Sequence, residues 1–141
     1  MINLYDISLL DNNEKFKFYI NKKFFKLFIY NYNKEDFLNP KINILLVKKK
    51  KNNLFIFKFH FIGEITLICD ISYNKFLFKI NKKKILNIIF SNNKYIDETE
   101  NYLIIPLNYR KINIAQYIYD SIILMLPLKK IDPKIKNYGT S

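Results

Sequence analysis

Residues 54–61 alternate without a break, with Phe55, Phe57, Phe59 and Phe61 on one side and Ile56, Lys58 and His60 on the other. A two-residue period is that of a strand with one face buried, so four phenylalanines are expected in the core. After Gly63, which permits a bulge or tight bend between two strands, the parity resumes. Ile65, Leu67, Cys69 and Ile71 then share one side, and Glu64, Thr66, Ile68 and Asp70 the other. Upstream, the apolar residues 42–47 run into Lys48, Lys49, Lys50 and Lys51 and then Asn52-Asn53, the pattern of a long β-hairpin with a basic tip. Downstream, residues 76–80, 85–90 and 102–105 are further runs of β-formers, and Lys82-Lys83-Lys84 is expected at a turn between the first two. These runs predict a sheet of about five to seven strands.

Two segments carry helical spacing instead. Asn21 can cap a helix over residues 21–29 in which Phe24, Phe25, Leu27, Phe28 and Ile29 form an apolar stripe. A second helix is predicted over residues 114–126, with Asn113 as N-cap, Pro127 as its stop, and Ile114, Ile118, Ile122 and Met125 against the sheet. Glycine occurs only at 63 and 139, so Asn- and Lys-rich clusters at 11–13, 31–34, 51–53 and 91–94 supply the turns. The predicted fold class is α+β, a mainly antiparallel sheet with two helices, the C-terminal one packed on it. One domain over residues 1–128 and a basic extended tail over 129–141 are expected.

Half of the 141 residues are hydrophobic, enough for a core despite the charge. The net charge of +12 suits a polyanion such as RNA or a membrane surface. Arg110 is the only arginine, and the crowding of Lys, Asn, Ile, Phe and Tyr is what drift in an AT-rich genome produces, so codon bias accounts for part of that charge. A single cysteine, Cys69, excludes an internal disulfide and a Cys-pair zinc site within one chain. The first ten residues lack the basic region and cleavage site of a signal peptide, and residues 112–128 are interrupted by Asn113, Gln116, Asp120 and Ser121 as no membrane span is. A cytoplasmic protein is expected.

Few residues offer reaction chemistry. Cys69 shares parity with Leu67 and Ile71 and is expected to be buried as a small hydrophobe. His60 shares a face with Lys58 and reads as a solvated strand histidine. Glu64 and Asp70 lie on one strand face but six residues apart, ~20 Å at the rise of ~3.3 Å per residue, too far for paired-carboxylate catalysis. Asp97, Glu98 and Glu100 form an acidic loop without fixed ligand spacing. No phosphate-cradling glycine loop, metal-ligand cluster or nucleophile with its base is visible, which argues against an enzyme and against a cofactor. The cations Lys48, Lys49, Lys50, Lys51, Lys82, Lys83, Lys84, Arg110, Lys129 and Lys130 are the candidates for phosphate contacts, with Tyr73, Tyr95 and Tyr109 placed to stack on unpaired bases.

The segment Gly63-Glu64-Ile65-Thr66-Leu67-Ile68-Cys69-Asp70, followed by Ile112-Asn113-Ile114-Ala115-Gln116-Tyr117-Ile118-Tyr119-Asp120 and Leu124-Met125-Leu126-Pro127-Leu128, resembles the YceD family. Tyr5-Asp6-Ile7, Phe16-Lys17-Phe18-Tyr19-Ile20 and Phe24-Phe25 look like its opening, and Asp97-Glu98-Thr99-Glu100 like its acidic loop. Members are bacterial and plastid proteins implicated in accumulation of large-subunit ribosomal RNA, so the resemblance implies a non-enzymatic factor of ribosome biogenesis. It would bind that RNA or a pre-ribosomal particle. Many members carry a second cysteine three positions after the one matching Cys69, where this chain has Ser72, and a histidine or cysteines after the Leu-Pro, where it has Ile131-Asp132-Pro133. A metal or redox role of those cysteines does not carry over. The alternative is an adaptor that docks on a ribosomal protein or assembly factor through the apolar helix or an exposed sheet edge.

Overall fold

In the computed structural model, residues 5–10, 13–28, 38–52, 54–91, 98–99 and 102–135 are described. Three long strands dominate: β3 (Leu38–Lys51), β4 (Leu54–Ile68) and β5 (Lys75–Ser91). They extend a sheet begun by β2 (Glu14–Ile20) and completed by the short β6 (Glu98–Thr99) and β7 (Tyr102–Pro106), in the order β2-β3-β4-β5-β7-β6. Every neighbour pair is antiparallel except β5 with β7. A separate two-stranded ribbon pairs β1 (Asp6–Ser8) with β8 (Lys111–Asn113). The predicted α+β class holds.

The alternation read from residues 54–61 is the organising feature of the core. Phe55, Phe57, Phe59 and Phe61 are all buried, beside Ile42, Ile44 and Leu46 of β3 and Leu86 and Ile88 of β5. Each fully buried side chain of this size contributes ~1.5–3 kcal/mol, so this face of the sheet is the main source of stability. Helix α2 (Ala115–Met125) covers it: Ile118 and Ile122 are buried, and the Tyr117 ring lies 4.9 Å from that of Phe59. Asn113 starts the helix from just outside, its Oδ1 accepting the Ala115 N–H at 2.9 Å while its Nδ2 donates to Asp6 Oδ1 at 2.8 Å. Pro127 holds the preceding Leu126 in extended backbone, and the helix stops there.

The first predicted helix is shorter than expected. Helix α1 spans only Lys22–Phe25, capped by Asn21 Oδ1, which accepts the Lys23 N–H at 3.0 Å, and a 3-10 turn over Lys26–Phe28 follows. Phe25 is buried, and Phe28 stacks on Tyr119 with ring centres 4.4 Å apart, which ties this segment to α2.

Two strand boundaries differ from expectation, each for a physical reason. Gly63 does not bend the chain: β4 runs straight through it, paired with β3 and β5 on both sides. It permits close approach instead, because a Cβ there would sit 2.0 Å from the Lys41 carbonyl oxygen, beside the register shift between Leu38 and Lys41. Lys82-Lys83-Lys84 is not a turn either but the middle of β5, in register with Phe61, His60 and Phe59. Lysines are tolerated there because, among the described residues, that stretch of β5 is a sheet edge, where their ammonium groups reach water. Asn52, with φ of 58°, forms the β3–β4 turn as predicted.

Candidate nucleic-acid interface

One side of the sheet carries the core, and the cross-strand register fixes what stands on the other. Residues opposite one another across a ladder share a face, so the outward row set by His60 includes Lys17, Leu45 and Lys83. The row of Lys58 includes Lys15, Val47 and Ile85, and that of Glu64 includes Lys41 and Lys79. Lys49, Lys51 and Lys75 complete the set. These nine lysines, 15, 17, 41, 49, 51, 58, 75, 79 and 83, are all exposed, and Glu64 is the one carboxylate on this face of β2 to β5. The face is ~50 Å along the strands, and its four strands, spaced ~4.8 Å, span ~15 Å. Tyr19, Leu45 and Ile62 are exposed between the lysines at 54%, 37% and 47%.

A twisted, nearly unopposed cationic surface of this size focuses a positive field, and its side chains are spaced to meet several phosphates at once. The apolar side chains and Tyr19 between the cations can contact sugars and base faces. His60 is half-buried within the face, its Nε2 2.7 Å from Asn81 Oδ1, which accepts its proton. It is a bridging strand histidine, and among the described residues no second titratable group is hydrogen-bonded to it.

The lysine clusters picked out by sequence do not act as units, because alternation sends neighbours to opposite sides. Lys49, Lys51 and Lys83 belong to the basic face. Lys48 does not, and its assignment to RNA contact is corrected: it is fully buried on the core side, donating to Ser8 O at 2.8 Å and Glu14 Oε1 at 2.9 Å. Lys50 is also on the core side, with Nζ 5.7 Å from the centre of the Phe55 ring. Lys82 and Lys84 share the face of Phe59 and Phe61 and stand at its open edge. Arg110 is exposed between β7 and β8, its carbonyl accepting the Leu9 N–H at 2.8 Å. Exposed Lys129 and half-buried Lys130 sit where the chain after α2 meets the β4–β5 turn. Exposed Tyr73 and Tyr109 are outside the four-stranded face, and Tyr95, Asp97 and Glu100 lie outside the described residues.

Lys15, Lys17, Lys41, Lys58, Lys75 and Lys79 were not singled out in the sequence, although parity marks them. Lys15-Phe16-Lys17-Phe18 and Phe57-Lys58-Phe59 each place a lysine outward between two inward rings.

At the far end of the sheet, Cys69 is buried as expected. The β4–β5 turn around it clasps the chain after α2: Asp70 N–H donates to Lys130 O at 2.6 Å, Lys130 N–H to Asp70 Oδ2 at 2.8 Å, and Asp132 N–H to Cys69 Sγ at 3.4 Å. Burial pushes the thiol up. Hydrogen bonds from the Asp132 N–H, the Ser72 hydroxyl and N–H and the Ile71 N–H outweigh it and bring the thiol down to about 7. Asp70, occupied by this clasp, is no partner for Glu64. Among the described residues no group of His, Cys, Asp and Glu could hold a metal ion, and no helix is long and apolar enough to cross a membrane. An apolar groove of about 440 Å³ between β7, β8 and α2 presents few polar groups, chiefly Asn113, Gln116 and Asp120.

Compared with protein-family models, with curated proteins and with solved structures, the chain matches none.

Proposed function

We propose that the protein is a non-enzymatic, cytoplasmic RNA-binding factor that acts in assembly of the large ribosomal subunit by gripping ribosomal RNA on the outward face of its sheet. The observation that carries this reading is the imbalance of that face, nine exposed lysines against one carboxylate. Such a surface contacts phosphates by counterion release and selects RNA by shape rather than by base edges. The large-subunit target comes from the resemblance of residues 63–70 and 112–128 to the YceD family, and bound protein would favour processing of the precursor or protect it from degradation.

The test is binding of the full chain to a large-subunit ribosomal RNA transcript and to a length-matched control RNA at near-physiological salt. The reading expects preference for the ribosomal transcript of about tenfold, equivalent to ~1.4 kcal/mol. Equal affinity for both transcripts would contradict the ribosomal assignment.

A further inference from the structure

Among the described residues, most of one edge of β5 has no strand beside it. β7 joins only Asn87 to Ser91, so over residues 75–86 the strand pairs with β4 on one side and, among the described residues, with no strand on the other. Backbone N–H and C=O groups along such an edge are a template for one more strand.

The side chains along the edge decide what can be added. Toward α2, Phe78, Ile80, Lys82 and Lys84 line, with Leu124 and Met125, an open groove of about 530 Å³. Leu124 is 78% exposed there, so an apolar side chain stands open to an incoming strand beside Phe78. On the opposite side of the same edge stand the exposed Lys75, Lys79 and Lys83. Lys82 and Lys84 are two residues apart, ~6.6 Å along the strand, which is the repeat of alternate side chains on an incoming strand. Residues 75–86 contain no acid. A second copy of this edge would therefore set lysines against lysines, and self-pairing is disfavoured. An incoming strand with carboxylates would meet cations on both faces, and apolar side chains could enter the groove beside Phe78 and Leu124.

We propose that the free edge of β5 receives an acidic, extended segment of a partner protein as an added strand. The main-chain hydrogen bonds would give affinity, and the lysines and groove would give selectivity. The edge shares Lys75, Lys79 and Lys83 with the basic face, but Lys82, Lys84 and the groove lie on the other side of the sheet, so the strand addition is tested there, apart from the RNA reading.

The test uses the full chain and a fluorescent peptide of about twelve residues repeating Glu-Glu-Val-Val, which sets both residue types on each face of an added strand, at near-physiological salt. Controls are the same composition with two central prolines, which removes backbone donors, and a Lys-for-Glu version. The proposal expects the Glu peptide to bind and to slow amide exchange in residues 75–86. It also expects the proline peptide and the Lys82→Glu/Lys84→Glu variant each to lose about tenfold in affinity, with the Lys peptide inert. Equal binding of the proline peptide would show charge attraction alone and overturn the proposal. So would failure of the Glu peptide to bind at millimolar concentration, or dimerisation of the chain through this edge.

Discussion

Lys48 and Glu14 form an ion pair between adjacent strands, with Nζ 2.9 Å from Oε1, and the lysine side chain has no exposed surface while the carboxylate keeps about a third of its own (34%). The pair sits opposite in the β2–β3 register and also holds the carbonyl of Ser8, so it pins β2 and the end of β1 to the core sheet. A lysine that looked like part of a nucleic-acid contact is a structural strut. Lys48→Met should cost ~2–3 kcal/mol in urea unfolding, below the full value for a buried pair because Glu14 stays partly hydrated. The double variant with Glu14→Gln should cost less than the sum of the singles, and RNA affinity of the folded Lys48→Met protein should be unchanged.

Gly63→Ala should destabilise by ~3 kcal/mol or more, because the new methyl meets backbone, not a flexible side chain. Lys41 O at 2.0 Å and Ile42 Cα at 2.6 Å cannot yield without moving β3 off its register. Loss of the β3–β4 ladder near Lys41 should appear as faster amide exchange in residues 41–44 and 62–65. An unfolding midpoint equal to that of the parent chain would contradict the close approach.

The Cys69 thiol gives a pH dependence with a definite sign. Its folded value, about 7, lies below the ordinary 9.0, so the folded state binds the thiolate form better than the unfolded chain does. The stabilisation is complete above the unfolded value and is lost as pH falls through about 7. Unfolding free energy should therefore rise between neutral pH and pH 9 in the parent chain, and Cys69→Ala should flatten that rise. Thiolate absorbance should titrate near the folded value.

The fold class, the basic hairpin and the C-terminal helix were legible because each rests on local periodicity: the phenylalanines at 55, 57, 59 and 61, and the isoleucines at 114, 118 and 122. What escaped was set by context. Lys82-Lys83-Lys84 interrupts an apolar run and reads as a turn, but an edge strand can carry lysines on both faces. Gly63 signals close backbone approach or a bend alike, and only the neighbouring strand decides between them. Lys48 was legible in principle, since Ile42, Ile44 and Leu46 point inward and the next even position follows them; its charge masked the parity. The basic face emerges only once four strands are in register, because its lysines are spread singly from residue 15 to residue 83.

The most direct test of that face is the salt dependence of RNA binding, measured for the parent chain and for a variant with Lys15, Lys17, Lys49 and Lys58 replaced by glutamine. Each phosphate contact contributes ~0.7–0.9 to the slope of log affinity against log salt, so the fourfold variant should lose ~3 from the slope and bind RNA far more weakly. Replacing Arg110, Lys129 and Lys130 instead should leave the slope nearly unchanged. If the fourfold variant keeps the parent slope and affinity, RNA is not held on the outward face of the sheet.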